Sequence, residues 1–506
     1  MRTADVGGPL TLPRRADVVV VGAGNAALCS AITAVEAGAS VVVLEKAPRD
    51  ARGGNGAFTG GFLRFAFDGI EDLRSVVDLT AEEERLLEVG RYSPEDFFLD
   101  VAELCDYRSE PDLVDLLVSA SLESVRWLRT QGVHFLPTLG LHAPDPAGVV
   151  RMRGVHPAVE VSGGGAGLLG ALFRRAESIG LPIHYATAAT RLVTDDAGRV
   201  TAVTVREGRV ARTIEAGAVV LACGGFESDP ELRARYLGTS WDLARVRGAA
   251  GNTGDGIRMA RDVGAQAAGH WSGCHAAPLD LNAPLYGDRD LSDAFVRRSY
   301  HLGVLVNRDG ERFLDEGADL EARTYSWVGQ RIIEQPGQVA FQVFDARAAA
   351  LLRPEYALRQ ATRLVADTVA ELAAKAGVNA AALERTVDGF NAGTSGAAVD
   401  PRTIDGVATT AVSPPKSNWA ASIVQPPFVA YPVTAGITFT FGGVRVDADA
   451  QVVAEDGEPI GNLCAAGEMV GGLFFGNYPT GCGIMAGTVF GRTAGRTAAA
   501  LAASAT

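Results

Sequence analysis

The sequence predicts an α/β protein in which a domain built on a parallel sheet is interrupted by an inserted α+β domain. A β-α-β pattern over residues 16–45, and a return of short strands and a helix after Gly442, predict the first domain. The segment from about 270 to 437 has longer polar loops and more aromatic residues and arginines, which indicates a second domain. The 506 residues are also too many for one hydrophobic core.

Three segments define the β-α-β unit. Residues 18–21 and 40–44 are short, continuous apolar runs, as expected for buried parallel strands. Between them, residues 25–37 have helical spacing and end before Gly38, a residue type common at helix C-termini.

The same periodicities predict the remaining elements. In chain order they are helices at 81–88 and 113–129, strands at 200–205 and 216–222, helix over 228–265, an extended loop over 393–419, a glycine-rich turn from Gly467 and a final helix through Ala500. We therefore expect a first domain in two parts, residues 14–269 and 438–506, and an inserted domain at 270–437.

Charge and composition narrow the possible functions. The net charge of −14 argues against broad binding of nucleic acid. No segment approaches the roughly 20 apolar residues of a membrane-spanning helix, so no direct membrane insertion is expected. The six cysteines form no C-x-x-C pair and no cluster with metal spacing, which predicts no metal site and suits a reducing cytoplasm. The apolar run after Arg14 and Arg15 is too short for a secretory signal, so a cytoplasmic protein is expected.

The turn after the first strand carries a dinucleotide-binding motif. Gly22 permits the tight turn, Gly24 lets the backbone approach a pyrophosphate, and Ala27 keeps helix and strand close. The free N–H groups of the helix N-terminus favour phosphate. Glu45 ends the second strand, where its carboxylate would accept a hydrogen bond from a ribose hydroxyl. The motif alone leaves FAD and NAD open.

Three further segments favour FAD over NAD. Residues 52–55 follow Glu45 closely, residues 219–226 form a strand that ends in glycines, and residues 465–468 repeat that pattern near the C-terminus. One ligand that touches segments so far apart has to be long, as FAD is. The first domain is therefore predicted to be a Rossmann-like FAD-binding domain of the two-dinucleotide-binding type.

Nearly the whole chain resembles the fumarate reductase/succinate dehydrogenase flavoprotein superfamily. Residues 24–29, 271–275, 306–319 and 436–440 carry the resemblance. It implies an inserted domain that caps the substrate and a noncovalent FAD, because residues 53–61 lack the histidine to which some members attach flavin. The candidate cofactor-binding residues are Gly22, Gly24, Asn25, Ala26, Ala27, Glu45, Lys46, Gly53, Gly54, Asn55, Gly56, Ala189, Ala222, Gly224, Asp255, Glu468, Gly483 and Ile484.

Two positions depart from the fumarate reductases of this superfamily. Thr438 stands where those enzymes have a histidine, and Tyr478, counted back from Phe490, stands where they have a substrate-binding arginine. Two cationic groups are thus replaced by two hydroxyl groups, which argues against a plain fumarate or succinate enzyme. The resemblance is closest to the FAD-dependent tricarballylate dehydrogenases, a subgroup that has the same two changes.

The resemblance implies oxidation of a carbon–carbon bond beside a carboxylate. A base removes the proton α to the acid group, and hydride leaves the β carbon. A tricarballylate-like acid would give a cis-aconitate-like alkene. The candidate catalytic residues are His275, Glu316, Arg323, Arg347, Arg353 and Tyr478.

Each candidate is weighed against a structural role. The catalytic interpretation of His275 is a hydrogen bond to a substrate carboxylate. The structural alternative is a loop histidine whose hydrogen bonds are satisfied within the protein. Glu316 and Arg323 would form a proton relay or a salt bridge, and both can hold. Tyr478 would act as donor or base beside the flavin or is a core tyrosine.

Two further arginines are catalytic candidates. Arg347 and Arg353 follow a Phe-Asp pair that resembles the approach to a catalytic arginine, but an arginine carries protons only when its pKa is strongly perturbed. Arg297, Arg298 and Tyr300 line the cleft or form a solvated face.

Several functions compete at this stage. The first is desaturation of a polycarboxylate; the others are a fumarate-type enoate reductase, a 3-ketosteroid Δ1-dehydrogenase-like enzyme and a non-catalytic flavin-binding subunit. The number of arginines in the inserted domain favours an acidic substrate over a steroid. The chain has no haem motif and no cysteine cluster, so we expect a separate electron acceptor, by resemblance a membrane iron–sulfur protein.

Overall fold

The computed structural model describes residues 11–142, 148–154, 156–401 and 403–504. Within these ranges the helices are α1 (Asn25–Glu36), α2 (Ile70–Arg74), α3 (Ala81–Leu86), α4 (Pro94–Leu104), α5 (Pro111–Ser119), α6 (Ser121–Thr130), α7 (Gly164–Ser178), α8 (Pro230–Tyr236), α9 (Asp255–Asp262), α10 (Glu321–Ile333), α11 (Ala346–Ala349), α12 (Val369–Ala376), α13 (Ala380–Ala392) and α14 (Cys482–Ser504).

The strands of the same ranges form two main sheets and three small ones. They are β1 (Arg15–Val21), β2 (Val41–Leu44), β3 (Phe62–Leu63), β4 (Phe67–Asp68), β5 (Leu87–Val89), β6 (Arg91–Tyr92), β7 (Phe135–Pro137), β8 (Val150–Met152), β9 (Val159–Val161), β10 (Ile183–His184), β11 (Thr187–Thr194), β12 (Val200–Glu207), β13 (Val210–Leu221), β14 (Arg245–Val246), β15 (Ala267–Asp280), β16 (Val304–Asn307), β17 (Ala340–Phe344), β18 (Leu364–Ala366), β19 (Phe428–Val444), β20 (Gln451–Val453) and β21 (Pro459–Ala465).

The larger sheet confirms the predicted α/β class. Strands β10, β2, β1, β13 and β21 pair in parallel, with Val20 opposite both Val43 and Val220. Val18, Val19 and Val20 have no exposed surface because both faces of the sheet are covered, which is why these runs are apolar throughout. Helix α1 packs closely along α14, since a Cβ at Gly491 would lie 2.6 Å from the Ala26 carbonyl oxygen.

The second main sheet contains six strands and is dominated by the antiparallel pair β15–β19. Strands β14, β17 and β18 also pair with β19, and β16 pairs with β17. The predicted domain boundary at 269/270 falls inside β15, and the boundary at 437/438 falls inside β19. The two strands that enter and leave the predicted inserted segment are therefore hydrogen-bonded to each other.

Several predicted elements differ in detail. The predicted helix at 113–129 is interrupted at Ala120, where the buried hydroxyl of Ser121 accepts a hydrogen bond from the Ala66 N–H and donates one to the Val118 carbonyl. The predicted helix at 81–88 ends at Leu86 because residues 87–89 pair with β8. Over 228–265 the helices α8 and α9 are separated by β14, which pairs with β19.

The sheet order determines where a ligand can bind. Strands β1, β13 and β21 are neighbours and end in register, at Val21, Leu221 and Ala465. Ligands of open α/β sheets bind beyond these carboxyl ends. Among the described residues, no helix combines the length and the apolar character that crossing a membrane requires.

Candidate active site

A cavity of about 730 Å³ begins at the carboxyl ends of β1, β13 and β21 and extends to residues 438–441 of β19. Its size is within the usual range for ligand sites, about 300–1,000 Å³. The structure brings most of the predicted cofactor residues together at its wall. Those that line it are Gly22, Gly24, Asn25, Ala26, Glu45, Lys46, Gly54, Asn55, Gly56, Ala189, Ala222, Gly224, Asp255, Glu468, Gly483 and Ile484.

Two predicted cofactor residues lie behind this wall. Ala27 is fully buried in α1, where its small side chain lets the helix pack on the sheet. Gly53 has φ +106°, and a Cβ there would lie 2.5 Å from Cδ1 of Leu169. Both residues therefore shape the cavity without lining it.

The turn between β1 and α1 forms one end of the cavity, the nucleotide end. Gly22 has φ +107°, and a Cβ at this position would lie 2.4 Å from the Ala222 carbonyl oxygen, so only glycine fits. Gly24 caps α1 without a side-chain hydrogen bond, which leaves the first N–H groups of the helix for a ligand. The first turn of α14 also reaches the cavity at Gly483 and Ile484.

Glu45 lies at the nucleotide end with a buried carboxylate. Its two oxygens accept hydrogen bonds from the backbone N–H groups of Ala23, at 2.9 Å, and Ala47, at 2.7 Å. Burial raises the pKa of Glu45, and these N–H donors oppose that effect. The second lone pair of each oxygen remains for a ribose hydroxyl.

A salt bridge borders the same end. Nζ of Lys46 lies 2.5 Å from Oδ2 of Asp255 and also donates to the Thr253 hydroxyl at 2.8 Å. Burial alone would raise the pKa of Asp255, but the hydrogen bond and the charge of Lys46 lower it on balance. The pair joins the end of β2 to the start of α9.

Asn55 connects three segments of the cavity wall. Its side-chain amide donates to Oε1 of Glu227, at 2.6 Å, and to the Thr438 carbonyl, at 2.7 Å, and its Oδ1 accepts from the Ala249 N–H at 2.9 Å. Glu468 accepts hydrogen bonds from the backbone N–H and the hydroxyl of Thr440, at 2.8 and 3.2 Å.

The residues of this cavity fit FAD. Two helix N-termini suit the pyrophosphate, the Glu45 carboxylate suits a ribose hydroxyl, and Gly22 keeps the turn open where a Cβ would fill it. No histidine occurs among the lining residues of the described chain. Within the same residues, no group of three or more His, Cys, Asp or Glu side chains is arranged to hold a metal ion.

At the opposite end, the substrate end, two tyrosine hydroxyl groups meet. The oxygens of Tyr325, on α10, and Tyr478, in the loop before α14, are 3.1 Å apart, and both residues line the cavity. Burial raises the pKa of both phenols. For Tyr325 the positive charges of Arg247 and Arg298 oppose the effect of burial, so Tyr325 is the more acidic candidate of the two.

His275 lies directly behind the two tyrosines. Its ring is fully buried and contacts Tyr325, Phe439 and Tyr478, with centroid separations of 4.9, 5.2 and 4.6 Å. Neither ring nitrogen has a hydrogen-bond partner among the described residues. Burial first, then the charges of Arg247 and Arg298, hold the pKa of His275 well below its usual range, so its imidazole is neutral.

Two arginines complete the substrate end. Arg247 is paired: its Nε lies 2.7 Å from Oδ1 of Asp293, and its Nη1 donates to the Thr438 hydroxyl at 3.1 Å. Arg298 lies over the Tyr325 ring, 5.6 Å from the centroid, and its buried Nε has no hydrogen-bond partner among the described residues. Burial alone would lower the pKa of Arg298, but nearby carboxylates raise it, so it stays charged.

Besides His275, four of the predicted catalytic residues lie outside the cavity lining. Arg323 is held by carboxylates, with its Nε 2.9 Å from Oδ2 of Asp319, and Arg347 pairs with Asp345 at 2.7 Å. The other two, Glu316 and Arg353, also have ionic partners.

Glu316 is fully buried against Arg312, with Nη2 and Oε2 2.5 Å apart, and also accepts the Leu305 N–H. Arg353 is paired with Glu321 at the start of α10. Arg297, a residue proposed for the cleft, is instead buried against Asp280 at 3.0 Å. Each of these side chains thus has a structural partner, and their catalytic roles remain predictions.

The structure adds site residues that the sequence reasoning missed. Arg247 and Asp293 line the cavity and belong to segments without a recognisable motif. Glu227, which follows the glycines after β13, lies behind the lining and holds Asn55. Tyr325 is one helical turn after Glu321, so the two residues share a face of α10. The helical periodicity of this segment is the signal that could have identified Tyr325.

Comparisons with known proteins agree with this geometry. A family model described as "FAD binding domain" matches residues 17–485. The "Probable fumarate reductase Ifc3" of Shewanella frigidimarina is 29% identical over 489 residues, which cover 95% of this chain and 74% of that protein. The "4-oxocyclohexanecarboxylate 2-dehydrogenase" of Sinomonas cyclohexanicum is 30% identical over 549 residues, covering 96% of this chain and 93% of that protein.

A solved structure is similar over nearly the whole chain. It is described as the open conformation of a flavocytochrome c3 fumarate reductase, and it has a TM-score of 0.73 and 26% identity over 97% of this chain and 79% of that chain. Together with the FAD-shaped cavity, these matches confirm the cofactor and the enzyme class that the sequence predicts. The chain belongs to the FAD binding domain family and is an FAD-dependent oxidoreductase.

Proposed function

We propose that the protein interconverts a carbon–carbon single bond and a double bond beside a carbonyl group of a small carboxylic acid. The observation that carries the proposal is the Tyr325–Tyr478 hydroxyl pair beside Arg298, whose buried Nε has no hydrogen-bond partner among the described residues. Bound FAD supplies an acceptor for the hydride that leaves the substrate.

The residues of the substrate end divide the remaining tasks. Arg298 binds the substrate carboxylate, because it is the cation there that has no carboxylate of its own. Tyr478 donates a hydrogen bond to the carbonyl oxygen beside the reacting bond and stabilises the enolate-like charge. Tyr325 reacts as the phenolate, the form that the charges of Arg247 and Arg298 favour, and accepts the proton from the carbon α to that carbonyl.

Neutral His275 and the aromatic rings at this end favour the same assignment. Its ring nitrogens have no hydrogen-bond partner among the described residues, and its ring lies against both tyrosines, so it is available to support one of their hydroxyl groups. Phe439 and Phe474 pack against Tyr478 and keep water from the hydroxyl pair, which strengthens each hydrogen bond.

The charges of the cavity bear on the substrate. Arg247 is neutralised by Asp293, and Lys46 by Asp255, so Arg298 is the one unpaired lining cation described at the substrate end. A tricarballylate-like acid, which the sequence resemblance favours, would bring three carboxylates to this end. We therefore favour an acid with one carboxylate and a neighbouring ketone or ester-like carbonyl. We also propose a separate electron acceptor for the reduced enzyme, with a membrane iron–sulfur protein as the first candidate.

An anaerobic titration tests the proposal. Tricarballylate, succinate, 4-oxocyclohexanecarboxylate and a 3-ketosteroid are added separately to the oxidised holoenzyme, and bleaching of the visible flavin absorption is followed. We expect bleaching with the keto acid, slower bleaching with tricarballylate and none with the uncharged steroid. Bleaching by the steroid alone would contradict the role of Arg298, and an unreactive flavin with every compound would favour a non-catalytic subunit.

The reverse direction is tested with the same protein. The dithionite-reduced holoenzyme is mixed with fumarate and with the unsaturated counterpart of each acid, and recovery of the flavin absorption is measured. Recovery with fumarate that is faster than oxidation of any saturated acid would favour the enoate reductase hypothesis.

A further inference from the structure

Two buried carboxyl groups meet at the wall of the cavity, which Glu468 lines and behind which Glu227 lies. Glu227 follows the glycines after β13, and Glu468 follows Gly467 after β21. Because β13 and β21 are parallel neighbours, the segments that follow them run side by side. The carboxyl groups of Glu227 and Glu468 lie within hydrogen-bond reach of each other, and Glu227 has no exposed surface.

Hydrogen-bond accounting places a proton between them. Oε1 of Glu227 accepts from the side-chain amides of Asn55 and Asn252, at 2.6 and 2.5 Å, and Oε1 of Glu468 accepts from Thr440. Oε2 of Glu227 has no N–H donor among the described residues. The site is shielded from water, so two ionised carboxylates in this contact would repel each other strongly. One of the two therefore carries a proton.

The surrounding groups indicate which carboxyl is protonated. Both carboxyl groups accept hydrogen bonds, Glu227 from the side-chain amides of Asn55 and Asn252 and Glu468 from Thr440, so the difference between them lies in their electrostatic surroundings. Burial, then the charge of Glu227, raises the pKa of Glu468 well above its usual range. The other titratable groups that face the pair are Arg233 of α8, which donates to the Glu227 carbonyl at 2.5 Å, and the Cys274 thiol of β15.

We propose that Glu227 is a positioning residue of the FAD site and that the proton it shares with Glu468 makes cofactor retention depend on pH. Asn55, Asn252 and Thr440 line the cavity and are held by the pair. Loss of the proton places two negative charges in contact, which drives the carboxylates apart and moves these three residues from the cofactor. The proposal concerns the FAD site and is independent of the substrate.

Release of FAD from diluted holoenzyme tests it. Free flavin fluorescence gives the FAD dissociation constant of the wild type and of Glu227→Gln from neutral to alkaline pH. For the wild type we expect about a tenfold rise per pH unit above the pKa of the pair, since one proton is linked to retention. Glu227→Gln keeps a donor and an acceptor but cannot form a second charge, so its dissociation constant should stay flat.

A matched control is Glu160→Gln, since burial also raises the pKa of Glu160, which is outside the cavity lining. This variant should keep the wild-type pH dependence. Equal pH dependence in the wild type and in Glu227→Gln would overturn the proposal.

Two further measurements test the proposal if the Glu227→Gln variant folds poorly. In Glu468→Gln an amide N–H replaces the shared proton, so this variant should hold FAD at alkaline pH. Loss of FAD at neutral pH from both glutamine variants would overturn the proposal. The infrared difference between the wild type and either variant should show the C=O stretch of a protonated carboxyl at neutral pH, and its absence would equally overturn the proposal.

Discussion

The two ends of the cavity differ in whether their polar side chains have partners within the protein. At the nucleotide end each charged side chain has a partner within the protein: Glu45 has two backbone N–H groups and Lys46 has Asp255. At the substrate end the Nε of Arg298 and both nitrogens of His275 have none among the described residues. Buried polar groups are costly to leave unpaired, so an unpaired cluster indicates where a ligand must supply the missing partners.

The difference also separates two kinds of recognition. The nucleotide end binds mainly through backbone N–H groups and helix N-termini. This mode of binding depends on glycines in the turns more than on the chemistry of particular side chains. The substrate end binds through side chains that belong to α10, β19, the segment between β15 and β16 that carries Arg298, and the loop before α14. A substitution should therefore affect cofactor binding or turnover, according to the end at which it lies.

The largest effect is expected for Tyr325→Phe. Removal of the proton acceptor should lower kcat by about 10²–10⁴-fold while FAD content stays unchanged. Steady-state kinetics and the flavin-to-protein absorbance ratio measure both quantities. Tyr356→Phe is the matched control, because Tyr356 is a buried tyrosine that hydrogen-bonds Gln342 away from the cavity lining. Turnover that survives in Tyr325→Phe would assign the proton transfer to another group.

Arg298→Gln should have the next largest effect, on substrate binding. A lost hydrogen bond between charged groups costs about 1.5–3 kcal/mol, which is roughly 10- to 150-fold in kcat/KM. The loss should appear with carboxylic acids and not with an uncharged ketone. The control is Arg289→Gln. Arg289 also lines the cavity, but among the described residues it contacts Arg52 and Phe58 and not the two tyrosines, so this variant should leave kcat/KM unchanged. Equal losses for charged and neutral substrates would contradict a carboxylate role.

A smaller, pH-dependent effect is expected at His270, which supports the loop carrying Tyr478. Nδ1 of His270 accepts the Gly476 N–H at 2.9 Å. Burial, then the charge of Arg108, lowers the pKa of His270 below the ordinary value of 6.5. The unfolded chain therefore binds this proton at higher pH than the folded one, so the hydrogen bond stabilises at neutral pH and is lost as pH falls below 6.5 towards the folded pKa.

Two variants test this prediction. His270→Leu should lower kcat about fivefold at neutral pH, as expected for about 1 kcal/mol, and should remove the acid limb of the pH profile. His270→Asn offers an amide oxygen near the position of Nδ1 and should recover most of kcat, without the acid limb. An unchanged pH profile in both variants would show that the histidine does not position the loop.

The smallest effect is expected for Arg347→Ala, although the sequence suggests a catalytic role for this arginine. The side chain is half exposed and pairs with Asp345 outside the cavity lining. Surface ion pairs contribute about 0–1 kcal/mol, so stability should fall slightly and kcat should change less than about twofold. A large loss of kcat with a normal denaturation midpoint would instead support the sequence-based role.

The nucleotide end could be predicted from the sequence because its chemistry is local. A turn that needs Gly22, a helix that starts after Gly24 and an acid at the end of β2 lie within one β-α-β unit, and backbone geometry fixes their relation. The substrate end could be predicted only in part. Tyr478 and His275 stand in recognisable segments, whereas Tyr325 is brought to the site by the packing of α10 on β15.

The arginines show why residue type alone is a poor guide. Five arginines of the inserted segment suggested an acidic substrate, yet most of them have carboxylate partners that leave no charge for a ligand. Sequence cannot distinguish a paired arginine from a free one, because the partner is often far along the chain. Arg247, outside that set, reaches the cavity through the pairing of β14 with β19.

The long hairpin-like pairing of β15 with β19 has a practical consequence for protein engineering. The inserted segment is joined to the rest of the chain through continuous strands, with Gly269 opposite Gly442 and Ala277 opposite Gly436. Cutting at 270 and 437 would remove most of β15 and more than half of β19, and would leave unpaired backbone edges on both fragments. A minimal flavin-binding fragment therefore has to retain both strands, and exchange of the predicted inserted segment between relatives should be made before Ala267 and after Val444.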